Sequence, residues 1–442
     1  MKIIVTCFCL IIFSFALSAQ TPDQVLATAN GQKFTVKDLP AEIAEAFADL
    51  SKTVADTRKI LLEQQIAETL FHTEAKAKNL TFEKLVEQIK AKVPAPSDKE
   101  VQAVYDGNRA AIGNQTLAEV RQQLVAFLRQ EPEQKALLDF LTTLKTTYKV
   151  TPGKDVNALS LKPTDVLATV GTKTISVQDF ETKNKIELYE TKAKVYDSVK
   201  FALNELIYAA LIATEAKSLN LETSDLLARE ITDKMRDYTE VERQGLEINL
   251  RQRLAAKYKT QILLKEPVPI VLNISSENAP FKGNAAAPVT VVMFSDFECS
   301  HCAATHPILQ KVLAEYPSDK IRFVVRDFPL VTIHENAFQA AVAAQAAQAQ
   351  GKFFEYVEIL YRHQEALDLA SLKKYAGELG LNPRQFELDL QSEKFAEAVR
   401  KDIADGKSYG ITGTPTIFVN GIKVRVTTAD GFREAIDKAL KK

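Results

Sequence analysis

Glycine is scarce in this chain of 442 residues, which holds only 15 of them. Long stretches are dominated instead by alanine, glutamate, lysine, leucine and glutamine, a composition that favours helix. The formal net charge is only −1, which gives no support to a nucleic-acid partner or to a partner with a strongly anionic surface. Hydrophobic residues at 46% and charged residues at 26% predict globular domains with real cores. The length predicts two to four such domains.

Long apolar runs are absent except at the N-terminus, where one extends from Ile3 to Leu17. It follows a lysine and leads into small residues around Ser18, the layout of a secretory signal peptide. We therefore predict a signal peptide over residues 1–19 and a periplasmic location for the mature protein. A membrane anchor is the alternative, but the run is shorter than the roughly 20 residues that span a bilayer.

Cysteine is also scarce, and its four positions limit the disulfides that can form. Cys7 and Cys9 lie inside the apolar run, too early for lipoprotein cleavage, and would leave with the signal peptide. The mature protein then keeps only Cys299 and Cys302, although an oxidising compartment would permit many disulfides. A disulfide that closes so short a loop stabilises a fold little. The pair is therefore not expected to be there for stability.

The N-terminal half contains an internal repeat. VLATANGQKFTVKDL at Val25 matches VLATVGTKTISVQDF at Val166, and LFHTEAKAKNL at Leu70 matches LIATEAKSLNL at Leu211, both with an offset of 141 residues. A constant offset over two separate matches indicates a duplicated unit. Apolar residues at three- and four-residue spacing follow each opening and predict long helices.

The opening of the repeat, ATANGQKFTVKDL from Ala27, resembles the helical N-terminal module of SurA-type periplasmic chaperones. The resemblance implies two helical modules, over residues 20–150 and 160–265, that bind unfolded chains. In that family the module often accompanies a parvulin prolyl isomerase domain. The helix-rich stretch 81–165 does not read as such a domain. The resemblance therefore implies chain binding without prolyl isomerisation.

The C-terminal part changes to a pattern of strands and helices. Runs rich in Val and Phe at 289–297 and 320–328 predict strands, and 415–424 predicts a hairpin turned at its Asn-Gly pair. About eighty residues between the second strand and the hairpin read as helical. A last amphipathic helix could be capped by Asp430. The order predicts an α+β domain.

The segment Cys299-Ser300-His301-Cys302 lies where the first of these strands gives way to a helix. Unpaired N–H groups and the helix dipole favour an anion there, so we predict that Cys299 is a thiolate nucleophile. Cys302, one turn along, could attack a mixed disulfide and release the substrate. An imidazole at His301 would stabilise the thiolate further, which makes the disulfide a stronger oxidant.

Other interpretations of the cysteine pair stay open: a structural disulfide, a zinc site or an incidental pair. A structural zinc ion is bound by four ligands, and the sequence contains no second CxxC motif that could supply two of them. His301 could also be an exposed residue without redox effect. We predict no metal and no cofactor other than a redox-active Cys299–Cys302 disulfide. The histidines that could complete a zinc site are His301, His306, His334 and His363.

A second element supports the redox interpretation, because GITGTPTIFVNG sets Thr414-Pro415 just before a strand. Proline is tolerated as the first residue of a strand. A cis bond would bring the Thr414 backbone beside the sulfurs, where it could pair with a substrate strand. A trans proline at a turn is the alternative, since few X-Pro bonds are cis.

Residues from about 280 to 440 resemble the DsbA-like thioredoxin-fold family, and the domain is predicted over residues 275–442. The resemblance rests on GNAAAPVTVVMFSDFECSHC, RFVVRDFPLVTIHENAFQAAVAAQAAQAQGKFFEYVEILY and GITGTPTIFVNG, in the family's order. It implies a thioredoxin fold with an inserted helical subdomain over 335–400. It also implies the site residues, with Cys299 as nucleophile, Cys302 as resolving cysteine, Thr414 as substrate contact and Pro415 as cis-proline.

The sequence departs from this family at Met293, where relatives often carry a buried acidic residue. Proton delivery to Cys302 would then need water or another group.

Together these features predict a periplasmic oxidoreductase that forms disulfides in folding proteins, with a helical region that binds unfolded chains. A disulfide isomerase or reductase with chaperone activity is one alternative, and a holdase with a non-catalytic thioredoxin-like domain is another. The predicted partners are unfolded or folding secreted proteins and a membrane or soluble redox partner that recycles the site. A homodimer stays open.

Overall fold

The computed structural model describes residues 21–441. The predicted signal peptide, with Cys7 and Cys9, lies outside these residues. The chain divides into two compact units, Met1–Pro267 and Val268–Lys442, and combines helices with sheets. Between residues 21 and 441, none of the helices has the length and apolar character that crossing a bilayer requires.

The first unit is largely helical and contains two small sheets. Its strands are β1 (Val25–Ala29), β2 (Gln32–Thr35), β3 (Thr151–Pro152), β4 (Val166–Val170), β5 (Lys173–Ser176) and β6 (Gln261–Ile262). Its helices are α1 (Ala41–Ala48), α2 (Leu50–Ala77), α3 (Phe82–Lys90), α4 (Asp98–Gly107), α5 (Arg109–Ile112), α6 (Leu117–Thr147), α7 (Val177–Ser218), α8 (Thr223–Glu230) and α9 (Glu240–Lys257), with 3-10 turns at Val36–Asp38 and Thr232–Lys234.

The duplication in sequence corresponds to a duplication in structure. The hairpins β1–β2 and β4–β5 have the same register, including a shift at the same place. Each ends in a capping box, in which the Asp38 carboxylate accepts from the Thr35 N–H at 2.7 Å and the Asp179 carboxylate accepts from the Ser176 N–H at 3.0 Å. Such a box satisfies N–H groups at the start of a helix. The repeated opening is therefore a hairpin followed by a helix start.

The two repeats exchange strands. The sheet orders are β2-β1-β6 and β3-β4-β5, so the strand that ends each repeat pairs with the hairpin that begins the other. The exchange is matched at equivalent positions, where the N–H of Asn30 donates to the carbonyl of Tyr258 and that of Gly171 donates to the carbonyl of Tyr148, both at 2.8 Å.

The hydrophobic cores follow the same exchange. Leu26 of the first hairpin is buried with Leu203 of α7 and Leu254 of α9, whereas Leu167 of the second hairpin is buried with Leu70 of α2. Each of these two cores contains residues from both repeats. The predicted modules 20–150 and 160–265 are therefore interleaved in one compact unit.

The second unit is built around a five-stranded sheet of order β11-β10-β8-β9-β7. Its strands are β7 (Phe281–Gly283), β8 (Val289–Ser295), β9 (Ile321–Asp327), β10 (Thr416–Val419) and β11 (Ile422–Lys423). Its helices are α10 (Ser300–Leu313), α11 (Ala337–Ala349), α12 (Phe353–Arg362), α13 (Leu369–Glu378), α14 (Pro383–Leu390), α15 (Glu393–Ser408) and α16 (Ala429–Leu440).

The central strands explain the apolar runs of the sequence. Strands β8 and β9 are parallel and joined through α10, and a strand buried on both faces reads as a continuous apolar run. The predicted hairpin is confirmed, since β10 and β11 are joined by Asn420 and Gly421, which have φ angles of 46° and 77°. Positive φ at both positions is what a two-residue turn of type I′ requires.

The predicted cap of the last helix is wrong. The hydroxyl of Thr428 accepts from the Gly431 N–H at 3.3 Å and caps α16. Asp430 already lies in the first turn of that helix, and the capping side chain must precede the first turn to reach its free N–H groups.

Candidate redox active site

Strand β8 delivers the CxxC segment to the start of α10. Cys299 is the N-cap residue of this helix, and its carbonyl accepts from the N–H of Cys302 at 3.0 Å and of Ala303 at 3.2 Å. Its own N–H donates to the carbonyl of Asp296 at 3.2 Å. The Cys299 side chain therefore stands at the end of the helix where N–H groups lack helical partners.

The two sulfurs differ in their access to solvent. Both cysteines are free thiols in this structure, and Cys299 is 6% exposed whereas Cys302 is fully buried. Cys299 Sγ lies 3.6 Å from the carbonyl oxygen of Thr414. Cys299 is therefore the sulfur that an incoming substrate can meet.

The two sulfurs also differ in acidity. A hydrogen bond from the Cys302 side chain lowers the pKa of Cys299 from an ordinary 9.0 to about 5; burial opposes this, while Thr414 and the N–H groups of Cys302 and His301 add to it. Burial raises the pKa of Cys302 far above its ordinary value. At neutral pH one sulfur is a thiolate, and the other keeps its proton and donates it in a hydrogen bond.

The loop with Thr414 and Pro415, which immediately precedes β10, contacts the cysteine pair. The Thr414–Pro415 peptide bond is cis, and the Thr414 carbonyl is the one that contacts Cys299. The Thr414 hydroxyl is buried and has no hydrogen-bond partner among the described residues. The structure thus brings Thr414 and Pro415 together with Cys299 and Cys302, which are more than a hundred residues away in sequence.

Two histidines are relevant to the thiolate, and sequence reasoning singled out only His301. The His301 side chain is exposed on the first turn of α10, and its backbone N–H helps to lower the pKa of Cys299. His334, on the segment between β9 and α11, has its Nδ1 at 2.8 Å from the Asp296 carboxylate. Burial is the largest single effect on the pKa of His334 and would lower it, but the hydrogen bond and charge of Asp296 act together with the charges of Cys299 and Glu298 and raise this pKa above its ordinary value.

Asp296 is the residue that fixes His334 beside the CxxC segment. Its buried carboxylate also accepts from the N–H groups of Leu330 and Glu298, each at 2.8 Å. No local pattern in the sequence indicates this contact, because 34 residues separate Asp296 from Leu330. The fold makes it by ending two neighbouring parallel strands at the same edge of the sheet.

The other histidines of the zinc alternative have different neighbours. His306 is buried, and its Nε2 lies 2.9 Å from the Glu358 carboxylate. The ring of His363 stacks on Tyr375 with centroids 5.2 Å apart. Within residues 21–441, no group of three or more His, Cys, Asp or Glu side chains is placed to hold a metal ion.

A carboxyl group does lie beneath the site, but not at Met293, which is buried in the same apolar cluster as both cysteines. Ser295 follows on the same face of β8, and its Oγ lies 2.5 Å from the hydroxyl of Tyr361. Asp327 is the parallel-register partner of Ser295 on β9 and is fully buried. The sequence analysis considered a buried acidic residue only on β8, at Met293, and did not consider Asp327 on the adjacent strand β9.

Comparison with known proteins finds matches to the second unit. A family model described as "Thioredoxin" matches residues 275–438. These residues form a thioredoxin-like domain. Among solved structures, a thioredoxin-like oxidoreductase from Silicibacter pomeroyi is similar at 27% identity over 38% of this chain and 94% of that one, with a TM-score of 0.35. BdbD from Bacillus subtilis is similar at 27% identity over 39% and 99%, with a TM-score of 0.36.

Curated relatives of this chain carry a different name. The Na(+)/H(+) antiporter NhaA 3 of Salinispora tropica is 35% identical over 179 residues, which are 40% of this chain and 27% of that protein. NhaA 1 of Mycolicibacterium vanbaalenii is 35% identical over 166 residues, or 36% and 27%. The chain thus spans about a quarter of the length of these relatives.

Proposed function

We propose that this protein is a periplasmic thiol–disulfide oxidoreductase that donates the Cys299–Cys302 disulfide to folding proteins. The observation that carries the proposal is the contrast between the sulfurs, because Cys299, which is 6% exposed, has a pKa of about 5 whereas the fully buried Cys302 has a raised pKa. Stabilising the thiolate stabilises the reduced form, and a pair with a stable reduced form is a strong oxidant.

The reaction proceeds in two exchanges. A substrate thiolate attacks Cys299 Sγ, the Cys299–Cys302 bond breaks, and its electron pair passes to Cys302, which takes up a proton. A second substrate thiolate attacks the substrate sulfur of the mixed disulfide, and Cys299 leaves as a thiolate. The low pKa of Cys299 favours this departure because a more acidic thiol leaves faster.

Thr414 and Pro415 are proposed to hold the substrate chain in this reaction. Thr414 is the residue whose backbone contacts Cys299, so a chain bound to the same loop would bring its own sulfur to the nucleophile. His301 is proposed to face the substrate from the exposed side of the site. A redox partner, in the membrane or soluble, would reoxidise the pair.

The first unit is proposed to bind unfolded chains. Its SurA-like repeated opening supports this, as does a shallow apolar groove on α3 that is lined by Phe82, Val86 and Ala91 and edged by charged residues including Arg129. Binding there would raise the local concentration of substrate near Cys299, which increases the apparent affinity without any new contact at the site.

The proposal is tested by oxidation of a reduced, unfolded disulfide protein with the full chain as oxidant. We expect disulfide formation with the oxidised wild type and none with Cys299→Ala or Cys302→Ala, because neither variant can form the Cys299–Cys302 disulfide that accepts the electrons. Retained activity in Cys299→Ala would contradict the proposal and favour a holdase. Efficient rearrangement of wrong disulfides without net oxidation would favour an isomerase.

The role of the first unit needs a separate comparison. Residues 275–442 alone should oxidise a small thiol as fast as the full chain does, but an unfolded protein more slowly. Equal rates on the unfolded protein would contradict the proposed coupling.

A further inference from the structure

We propose that Asp327 exchanges a proton with Cys302 through the hydroxyl groups of Ser295 and Tyr361. This inference rests on the proposed function, because it assigns the proton that the buried cysteine must gain and lose in each exchange. The residues come from three elements, namely Ser295 from β8, Asp327 from β9 and Tyr361 from α12.

The sheet places Ser295 and Asp327 side by side. They are partners in the parallel ladder of β8 and β9, so their side chains leave the same face of strands that lie about 4.8 Å apart. This face also carries Met293 and is covered by helices α10, α11 and α12. The two polar side chains are thus enclosed beneath the cysteine pair.

Ser295 and Tyr361 connect this pair of strands to Cys302. The two hydroxyl oxygens are 2.5 Å apart, and the Ser295 hydroxyl also hydrogen-bonds Cys302. Burial is the largest cause of the raised pKa of Tyr361, and the charges of Cys302, Asp296 and Asp327 raise it further. Tyr361 is therefore within electrostatic reach of both ends of the proposed route.

Of the two carboxylate oxygens of Asp327, one accepts a hydrogen bond from the described residues and the other does not. Gln345 Nε2 donates to Asp327 Oδ2 at 2.5 Å, whereas Oδ1 is buried and has no partner among the described residues. A buried carboxylate oxygen without a partner costs free energy, and a bound proton lowers that cost because it removes the buried charge. Asp327 therefore has the chemistry of a group that takes and returns a proton in place.

The net effect of the groups around Asp327 is also to favour its protonated form. Burial and the Asp402 carboxylate raise the pKa of Asp327, and Gln345 and the Arg326 guanidinium oppose them without cancelling the effect. Asp402 is itself paired with Arg326 at 2.6 Å. A carboxyl group with a raised pKa is suited to general acid–base catalysis near neutral pH. The titratable or charged groups that face Asp327 are Arg326, Asp402 and Tyr361.

The proton balance follows from the exchange itself. When a substrate thiolate attacks Cys299, the electron pair of the broken S–S bond passes to Cys302, Asp327 gives up its proton, and the hydroxyl groups relay it to Cys302 Sγ. In the reverse direction the Cys302 proton returns to Asp327, Cys302 attacks Cys299 Sγ, and the substrate leaves as a thiolate. Without the transfer, a thiolate would be stranded in a fully buried position, which is costly.

The test uses the oxidised full chain and reduced glutathione, followed by acid quench and mass analysis of the alkylated products over a range of pH. Asp327→Asn should slow both formation and resolution of the Cys299–glutathione disulfide by about 100-fold, the low end for general acid–base catalysis, and should remove one ionisation from the pH profile. Cys299 in reduced Asp327→Asn should keep its wild-type alkylation rate. Asp389→Asn is the matched control, since Asp389 is a buried carboxyl on α14 that accepts from Gln385.

The outcomes separate this inference from the proposed function. A wild-type chain that never forms the Cys299–glutathione disulfide contradicts the proposed function. An active wild type whose rates and pH profile are shared by Asp327→Asn overturns the proton assignment. If Asp327→Asn does not fold, Ser295→Ala decides: we expect at least a tenfold slower resolution, and a wild-type rate in that variant overturns the assignment.

Discussion

Replacing Cys302 is expected to raise the pKa of Cys299, because the Cys302 side chain makes the hydrogen bond that lowers it most. A hydrogen bond to a charged group contributes about 1.5–3 kcal/mol, and a change of one in pKa corresponds to about 1.4 kcal/mol. Cys302→Ala should therefore raise the pKa of Cys299 by about 1 to 2. Cys302→Ser keeps a hydroxyl donor at the same position and should raise it less.

The assay is the ultraviolet absorbance of the Cys299 thiolate as a function of pH, measured on the full chain. Each variant carries a single reactive cysteine in the thioredoxin-like domain, so the titration is not mixed with that of Cys302. Ser300→Ala is the control, because Ser300 is exposed on the same turn and should leave the titration unchanged. An unchanged pKa in both Cys302 variants would refute the reasoning, since the thiolate would then be stabilised by other groups.

Three further predictions concern charge and stability. His334→Gln should raise the pKa of Cys299 more than His301→Gln, because His334 is less exposed and held by Asp296; equal effects in the same titration would contradict this. The lowered pKa of Cys299 stabilises the reduced fold fully above pH 9.0, and this contribution is lost as the pH falls through about 5. The difference in unfolding free energy between reduced wild type and Cys299→Ser should therefore grow by about 1.4 kcal/mol for each pH unit as the pH rises from about 5 to 9.0. A difference that does not change with pH in denaturant unfolding would refute this prediction. Arg326→Met should destabilise the domain by about 3 kcal/mol in urea unfolding, because the Asp402 and Asp405 carboxylates lose their buried partner; a loss below about 1 kcal/mol would contradict it.

Local sequence was sufficient for the two central strands and the hairpin of the thioredoxin-like domain, but not for the edge strand β7. The apolar runs correspond to β8 and β9, and the Asn420-Gly421 pair turns the hairpin, because backbone preference and burial act within a few residues. The position of Cys299 at the start of a helix could be predicted from the same local pattern, in which an apolar strand is followed by a helix. Even here a choice between neighbours failed, since Thr428 rather than Asp430 caps the last helix.

Long-range contacts were the part that the sequence did not reveal. The repeat was visible as an offset, but the exchange of strands between its copies depends on the pairing of β1 with β6 and of β3 with β4. In the same way, Asp327 and His334 become part of the site only because β9 ends beside β8. A single sequence contains no signal for which side chains two distant strands will place together.

The equilibrium reduction potential of the Cys299–Cys302 pair, measured against glutathione, is the most direct test of the central claim. If the Cys299 thiolate is stabilised as its surroundings indicate, the potential should lie well above the roughly −270 mV of thioredoxin, towards the roughly −120 mV of DsbA. A potential at or below about −270 mV would contradict the account, because the reduced form would then have no special stability.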